Sequence, residues 1–70
     1  MIMVPPGRYR HFKGKEYDAL GVAQHSETNE ELVVYRKRYD DHALCVRPAA
    51  MFTERVVRDG YDGPRFVQID

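Results

Sequence analysis

The fifteen residues GRYRHFKGKEYDALG, Gly7 to Gly21, hold four basic residues, one histidine, three aromatics and three glycines. They read either as a ligand-gripping surface or as the first hairpin of a small sheet. Pro5 and Pro6 disfavour helical backbone in the residues before them and open an extended segment. Tyr9 and His11 then alternate with Arg8, Arg10 and Phe12, the period of a strand. KGKE, residues 13–16, supplies a turn, with Gly14 free to adopt positive φ. A second strand follows in EYDALGVAQH, with Leu20 and Val22 on one side and Tyr17, Ala19, Gly21 and Ala23 on the other. Glycine inside a strand marks a bend or a close backbone approach. The stretch is therefore a hairpin that bends, and His11, Lys13 and Lys15 are what it leaves over for a ligand.

Outward from this hairpin the pattern stays extended. SETNE (26–30) is a loop, and ELVVYRKRY (31–39) is a strand rich in β-branched and aromatic residues. DDH (40–42) turns. ALCVR (43–47) is the next strand, with Leu44 and Val46 opposite Cys45 and Arg47. PAAMF (48–52) breaks the alternation: Pro48 suits the start of one helical turn, and Met51 and Phe52 can plug a core. TERVV (53–57) favours extended backbone, RDGYDGP (58–64) carries two Asp-Gly turn signals, and RFVQI (65–69) closes the chain as a strand. About five short strands and one helical turn predict an all-β fold, a small bent SH3-like barrel occupying residues 1–70 as a single domain. A flat two-hairpin sheet with a helix on one face is the competing architecture. The predicted inward set is Tyr9, Tyr17, Leu20, Val22, Leu32, Val34, Leu44, Val46, Phe52 and Phe66.

Seventy residues bury a thin core, on the order of 60% of the surface exposed when unfolded. The chain is 43% hydrophobic and balances 11 acidic against 11 basic residues, a composition that folds. One cysteine, Cys45, permits no intramolecular disulfide and fits a reducing cytoplasm. MIMVPPG lacks the features of a signal peptide, and no apolar run is long enough for a membrane helix. The charge is uneven: Arg8, Arg10, Lys13 and Lys15 precede any acid, and Arg36, Lys37 and Arg38 follow an acidic block. Such blocks usually mean solvated strand faces, and a neutral total weakens the case for nucleic acid.

Several short motifs coincide. They are Gly7-x-Tyr9-x-His11-Phe12-Lys13-Gly14-x-x-Tyr17, His25-Ser26-Glu27-Thr28, Val33-Val34-Tyr35-Arg36, Val46-Arg47-Pro48 with Met51-Phe52, and Pro64-Arg65-Phe66. Together they resemble a family of short bacterial proteins grouped as a domain of unknown function, over Gly7 to Ile69. The resemblance implies a compact SH3-like β-barrel and no established activity. It also implies an aromatic residue, often Trp, at the position of Cys45, where this chain departs from the pattern.

His11, His25, His42 and Cys45 have no metal-ligand spacing beyond His42-x-x-Cys45, so no metal site or cofactor is expected. Cys45 lacks the setting of a nucleophile. His25 and Glu27, two apart at a strand end, could share a face as an acid–base pair; the plainer reading is a hairpin loop with local turn bonds. Arg47, where a strand meets a helical turn, could hold a carboxylate or phosphate bidentately, or simply tie the turn down. The expected ligand surface is His11, Lys13, Tyr35 and Arg47, with His25 and Glu27 at its edge. Tyr35 would stack and His11 would change charge near neutral pH.

A domain this thin scarcely encloses a small-molecule pocket, so a binding module for a peptide, a protein or another anionic ligand is favoured over an enzyme. A nucleic-acid-binding barrel and an accessory subunit of a shared enzyme site are the alternatives. Exposed strand edges, ELVVYRKRY above all, suggest a weak homodimer.

Overall fold

The computed structural model describes residues 3–69, in the order β1 (Gly7–His11), β2 (Glu16–Gln24), β3 (Glu31–Lys37), β4 (Leu44–Pro48), α1 (Ala49–Phe52), β5 (Arg55–Arg58), β6 (Tyr61–Pro64) and β7 (Phe66–Gln68). The fold is all-β. Five strands form one antiparallel sheet in the order β4-β3-β2-β1-β7, and β5 pairs with β6 in a second, two-stranded sheet. That small hairpin grows from TERVV and the first Asp-Gly pair. Asp59 and Gly60 both take positive φ, 51° and 83°, as a two-residue hairpin turn demands. The second pair, Asp62-Gly63, lies within β6 and makes no turn.

The opening stretch is the hairpin that its alternation predicts. Tyr9 lies opposite Tyr17, and Gly7 opposite Ala19. Where the glycine signalled a bend, the β2–β3 register shifts between Ala19 and Gly21, leaving Leu20 as an extra residue. An inserted residue bends a strand and increases its twist. The curl that results is strong. In a flat sheet four inter-strand spacings would put about 19 Å between β4 and β7, yet the guanidinium of Arg47 on β4 lies 5.5 Å from the Phe66 ring centroid on β7.

The concave side of this curl is the core. Val4, Tyr9, Ala19, Val33, Tyr35, Ala49, Phe52 and Phe66 are buried together, with Tyr17 and Cys45 packed against them. Phe52, delivered by α1, stacks on Phe66 at 4.1 Å with the rings 4° apart. Tyr9 meets Phe52 edge-on at 5.3 Å and anchors the N-terminal segment by donating its hydroxyl to the Pro5 carbonyl at 2.7 Å.

This core corrects the expected inward set. Tyr9, Phe52 and Phe66 are buried and Tyr17 partly so. Leu20, Val22, Leu44 and Val46 are instead 51%, 38%, 55% and 61% exposed. Two causes account for the error. On β2, Ala19 faces the core and Leu20 is turned out at the bulge; beyond it Val22 lies opposite the fully buried Val33 and so shares the core face, but toward the end of the strand it is left partly open. On β4, pairing is dictated by β3: Val33 lies opposite Arg47 and Tyr35 opposite Cys45, which turns Leu44 and Val46 outward. Strand β3 is also interior, flanked by β2 and β4, so it exposes no edge.

Candidate functional site

Strands β1 and β4 each bring one polar side chain to Phe66. His11 packs edge-on against that ring at 5.0 Å, and Arg47 covers it at 5.5 Å. Tyr17 meets it at 5.6 Å from β2. The curl of the sheet thus brings together two residues, His11 and Arg47, that are 36 positions apart in the chain. Both contact the same Phe66 ring.

Charge at this surface is one-sided. Six ion pairs among the described residues engage Arg10, Lys37, Arg38, Arg55, Arg58 and Arg65. Arg47 has none: half-buried, its guanidinium is held by the cation–π contact with Phe66. Burial lowers the His11 pKa from its ordinary value, and Arg47, Arg65, Lys13 and Arg58 push it down further. All four of these neighbours are cations. His11 Nδ1 accepts the Lys13 backbone N–H at 3.1 Å, so in the neutral ring the proton sits on Nε2, which is left as a donor.

A tyrosine pair extends the surface. The hydroxyls of Tyr17 and Tyr39 are hydrogen-bonded at 2.7 Å, and Lys15 Nζ lies 4.3 Å from the Tyr39 ring centroid. The Tyr17 pKa is raised, first by burial and then by its bond to Tyr39; Arg47 acts in the opposite direction. On the other side of His11, Phe12 is tilted against its ring at 4.5 Å and stacks on Tyr61 at 5.4 Å. Arg58, Arg65 and Lys13 surround Phe12 at 5.5–6.0 Å. A groove of about 240 Å³ runs beside it, lined by Arg10, His11, Phe12, Tyr61, Val67 and Ile69 among others. The opening hairpin therefore has both roles: its backbone makes the sheet and its inward side chains furnish one wall of the site.

The other predicted residues differ in their relation to this surface. Lys13 is exposed in the β1–β2 turn. Tyr35 is buried at 5% exposure, edge-on to Tyr17 at 5.2 Å, and supports the site from beneath. His25 folds back on its own loop, where Nδ1 accepts the backbone N–H of Glu27 at 3.1 Å and of Thr28 at 3.4 Å. Glu27 is exposed. The contact between these two residues is thus a turn bond to the main chain. Sequence reasoning left Tyr17, Tyr39, Phe12 and Arg65 out of the site. The clue was the Tyr9-to-Tyr17 hairpin register, which fixes Tyr17 on the same face as His11. Among the described residues no group of His, Cys, Asp and Glu could hold a metal ion, and no helix is long and apolar enough to cross a membrane.

A small all-β domain with a cationic, tyrosine-rich concave face is the class of protein that this architecture defines. The chain belongs to the family described as "Protein of unknown function (DUF1653)", whose model matches residues 7–68. The crystal structure of a DUF1653 protein from Bordetella bronchiseptica is similar at a TM-score of 0.87 and 37% sequence identity, over 94% of this chain and 87% of that one. No curated protein matches.

Proposed function

We propose that the chain is a small cytoplasmic binding module of SH3-like type that takes an anionic group of a peptide or protein partner, a carboxylate or a phosphate, at the Arg47–His11 surface. The observation that carries this reading is Arg47. A half-buried guanidinium with no carboxylate partner among the described residues, set over Phe66, keeps its planar donors available for a bidentate acceptor. His11 Nε2–H and the Tyr17 hydroxyl add neutral hydrogen-bonding capacity beside it, and the surrounding cations supply a favourable field. Lys13 and Lys15, exposed at the hairpin turn, would steer an anion inward. Of the other expected residues, Tyr35 supports Tyr17 from beneath, and His25 and Glu27 lie at the β2–β3 loop.

A second reading has one observation in its favour. Phe12, ringed by Lys13, Arg58 and Arg65 and stacked on Tyr61, resembles a stacking platform for single-stranded nucleic acid. The neutral total charge weighs against it, as do the ion pairs that engage Arg58 and Arg65. The test is an NMR titration of labelled protein with acidic peptides, phosphopeptides and oligonucleotides at two salt concentrations. Shifts at His11, Tyr17 and Arg47 that vanish in Arg47→Gln support the peptide reading. Shifts centred on Phe12 and Tyr61 with a steep salt dependence replace it with the nucleic-acid reading.

A further inference from the structure

A second groove, of about 220 Å³, differs in chemistry from the cationic surface. It is lined by Val4 and Pro5 of the N-terminal segment, the rings of Tyr9, Phe52 and Phe66, and Pro64, among others. Among the described residues, none that lines it is charged. The one hydroxyl of a threonine there, on Thr53, is already donated to the Ala49 carbonyl at 3.0 Å. An anion gains nothing in this groove; an apolar group does.

Residues 3–6 lie outside every strand and helix. Pro5 and Pro6 fix their own φ and drive Val4 and Pro5, the residues before them, away from helical backbone. The result is an extended segment of polyproline character, whose carbonyls stay free to accept. This segment sits on the aromatic rings in the way that a ligand does. Val4 is buried in one cluster with Tyr9, Phe52 and Phe66. The Tyr9 hydroxyl donates to the Pro5 carbonyl at 2.7 Å, and Gln68 Nε2 donates to the Pro6 carbonyl at 3.4 Å. Proline-rich segments are recognised in such aromatic-lined grooves because their extended shape is preformed and little entropy is lost on docking. The fit of the chain's own segment is incomplete. Met3 is 79% exposed, and the groove stays open beside the short side chain of Val4.

We infer that this groove binds a partner's segment of the form apolar-Pro-Pro, in which a side chain longer than valine, such as leucine or methionine, takes the place of Val4. Two observations define this occupant. The chain's own Val4-Pro5-Pro6 shows which backbone and which carbonyl the groove accepts. The open space beside Val4 shows what a partner has that this segment lacks. Met3–Pro6 is then an intramolecular competitor, and the apparent affinity for a partner is reduced by the fraction of molecules in which that segment has left. Binding here is independent of the Arg47 surface and of an anionic group.

NMR titration of the labelled full-length protein with acetyl-Met-Leu-Pro-Pro-Gly-amide, and with its Val and Ala counterparts, tests this inference. The Leu peptide should shift the amides of Phe52, Thr53 and Phe66. It should bind about fourfold tighter than the Val peptide, as one added methylene predicts, and the Ala peptide should bind weakest. Val4→Ala weakens the competitor alone and should tighten binding several-fold. Val4→Leu fills the groove from within, so it should weaken binding about fourfold while keeping the thermal midpoint at or above the parent's. The parent and Val4→Leu decide the matter even where Val4→Ala fails to fold. No shift in the parent at millimolar Leu peptide, equal affinity for the Leu and Ala peptides, shifts centred on His11 and Arg47, or a folded Val4→Leu that binds as the parent does would overturn it.

Discussion

Val33 and Leu44 are a sharp test of which face of the sheet is the core. Both are aliphatic strand residues, and the alternation of the sequence had placed Leu44 inside. In the structure Val33 is 0% exposed and Leu44 is 55% exposed. Val33→Ala removes two buried methyl groups, about 1.6 kcal/mol of transfer free energy at about 0.8 kcal/mol each. The cavity left between Arg47, Val22 and α1 adds to this, for a total of about 2–3 kcal/mol. A chain of 70 residues has a stability of about 3.5–10 kcal/mol, so the variant loses about a fifth of it or more. For a domain this small, each kcal/mol lowers Tm by about 4–8 °C, predicting a fall of roughly 10–20 °C. Leu44→Ala removes a half-solvated side chain and should stay within about 1 kcal/mol. Urea and thermal unfolding followed by circular dichroism, at dilute protein to suppress association, reads both. Equal losses, or a larger loss for Leu44→Ala, would refute the assignment of faces.

Three further outcomes are expected. Gly60→Ala places a side chain at φ 83° with open space around it, so backbone strain alone should cost about 1 kcal/mol, seen as a modest fall in urea midpoint. Tyr17→Phe removes the 2.7 Å bond to Tyr39 and should cost about 1 kcal/mol. In the parent the raised Tyr17 pKa makes stability fall as pH climbs past about 10, the unfolded value, because only the unfolded chain ionises readily there; this alkaline slope should flatten in Tyr17→Phe. At the acid end, the lowered His11 pKa means that the unfolded chain takes up a proton first. The stability held above about pH 6.5 is then lost as pH falls toward the folded-state value, and His11→Gln should lack that part of the acid slope in unfolding measured from pH 8 to 5.

The sequence made the strands, the first turn, the bend near Gly21 and the Phe52 plug legible, because each has a local chemical signal. The faces were harder. In Leu32-Val33-Val34-Tyr35 every side chain is apolar, so β3 carries no period-two information of its own. Its orientation comes from ring packing around Phe66, and β4 then inherits that orientation through pairing. Leu44-Cys45-Val46-Arg47 looks like a strand with its aliphatic side in, yet the small thiol and the arginine face inward because Tyr35 and Val33 do. The bulge at Leu20 is equally silent beforehand, since one inserted residue flips parity without changing composition. Of the site, His11 and Arg47 were visible as polar residues on strands otherwise given to the core. Tyr17 and Tyr39 were not, because a tyrosine in a sequence does not reveal whether its hydroxyl lies in a core rim or beside a ligand.

An anion held between Arg47 and His11 would be reported directly by the pKa of His11. Its ring-proton shifts, followed by NMR against pH, should give a value below about 6.5 in the free protein. Inorganic phosphate at saturating concentration, or a bound acidic peptide, should raise it, because an anion offsets the four neighbouring cations. In Arg47→Gln the free-protein value should rise on loss of one repelling charge, and added phosphate should no longer move it. A His11 pKa that is insensitive to phosphate and to every acidic peptide tried, in a folded parent protein, would contradict the account.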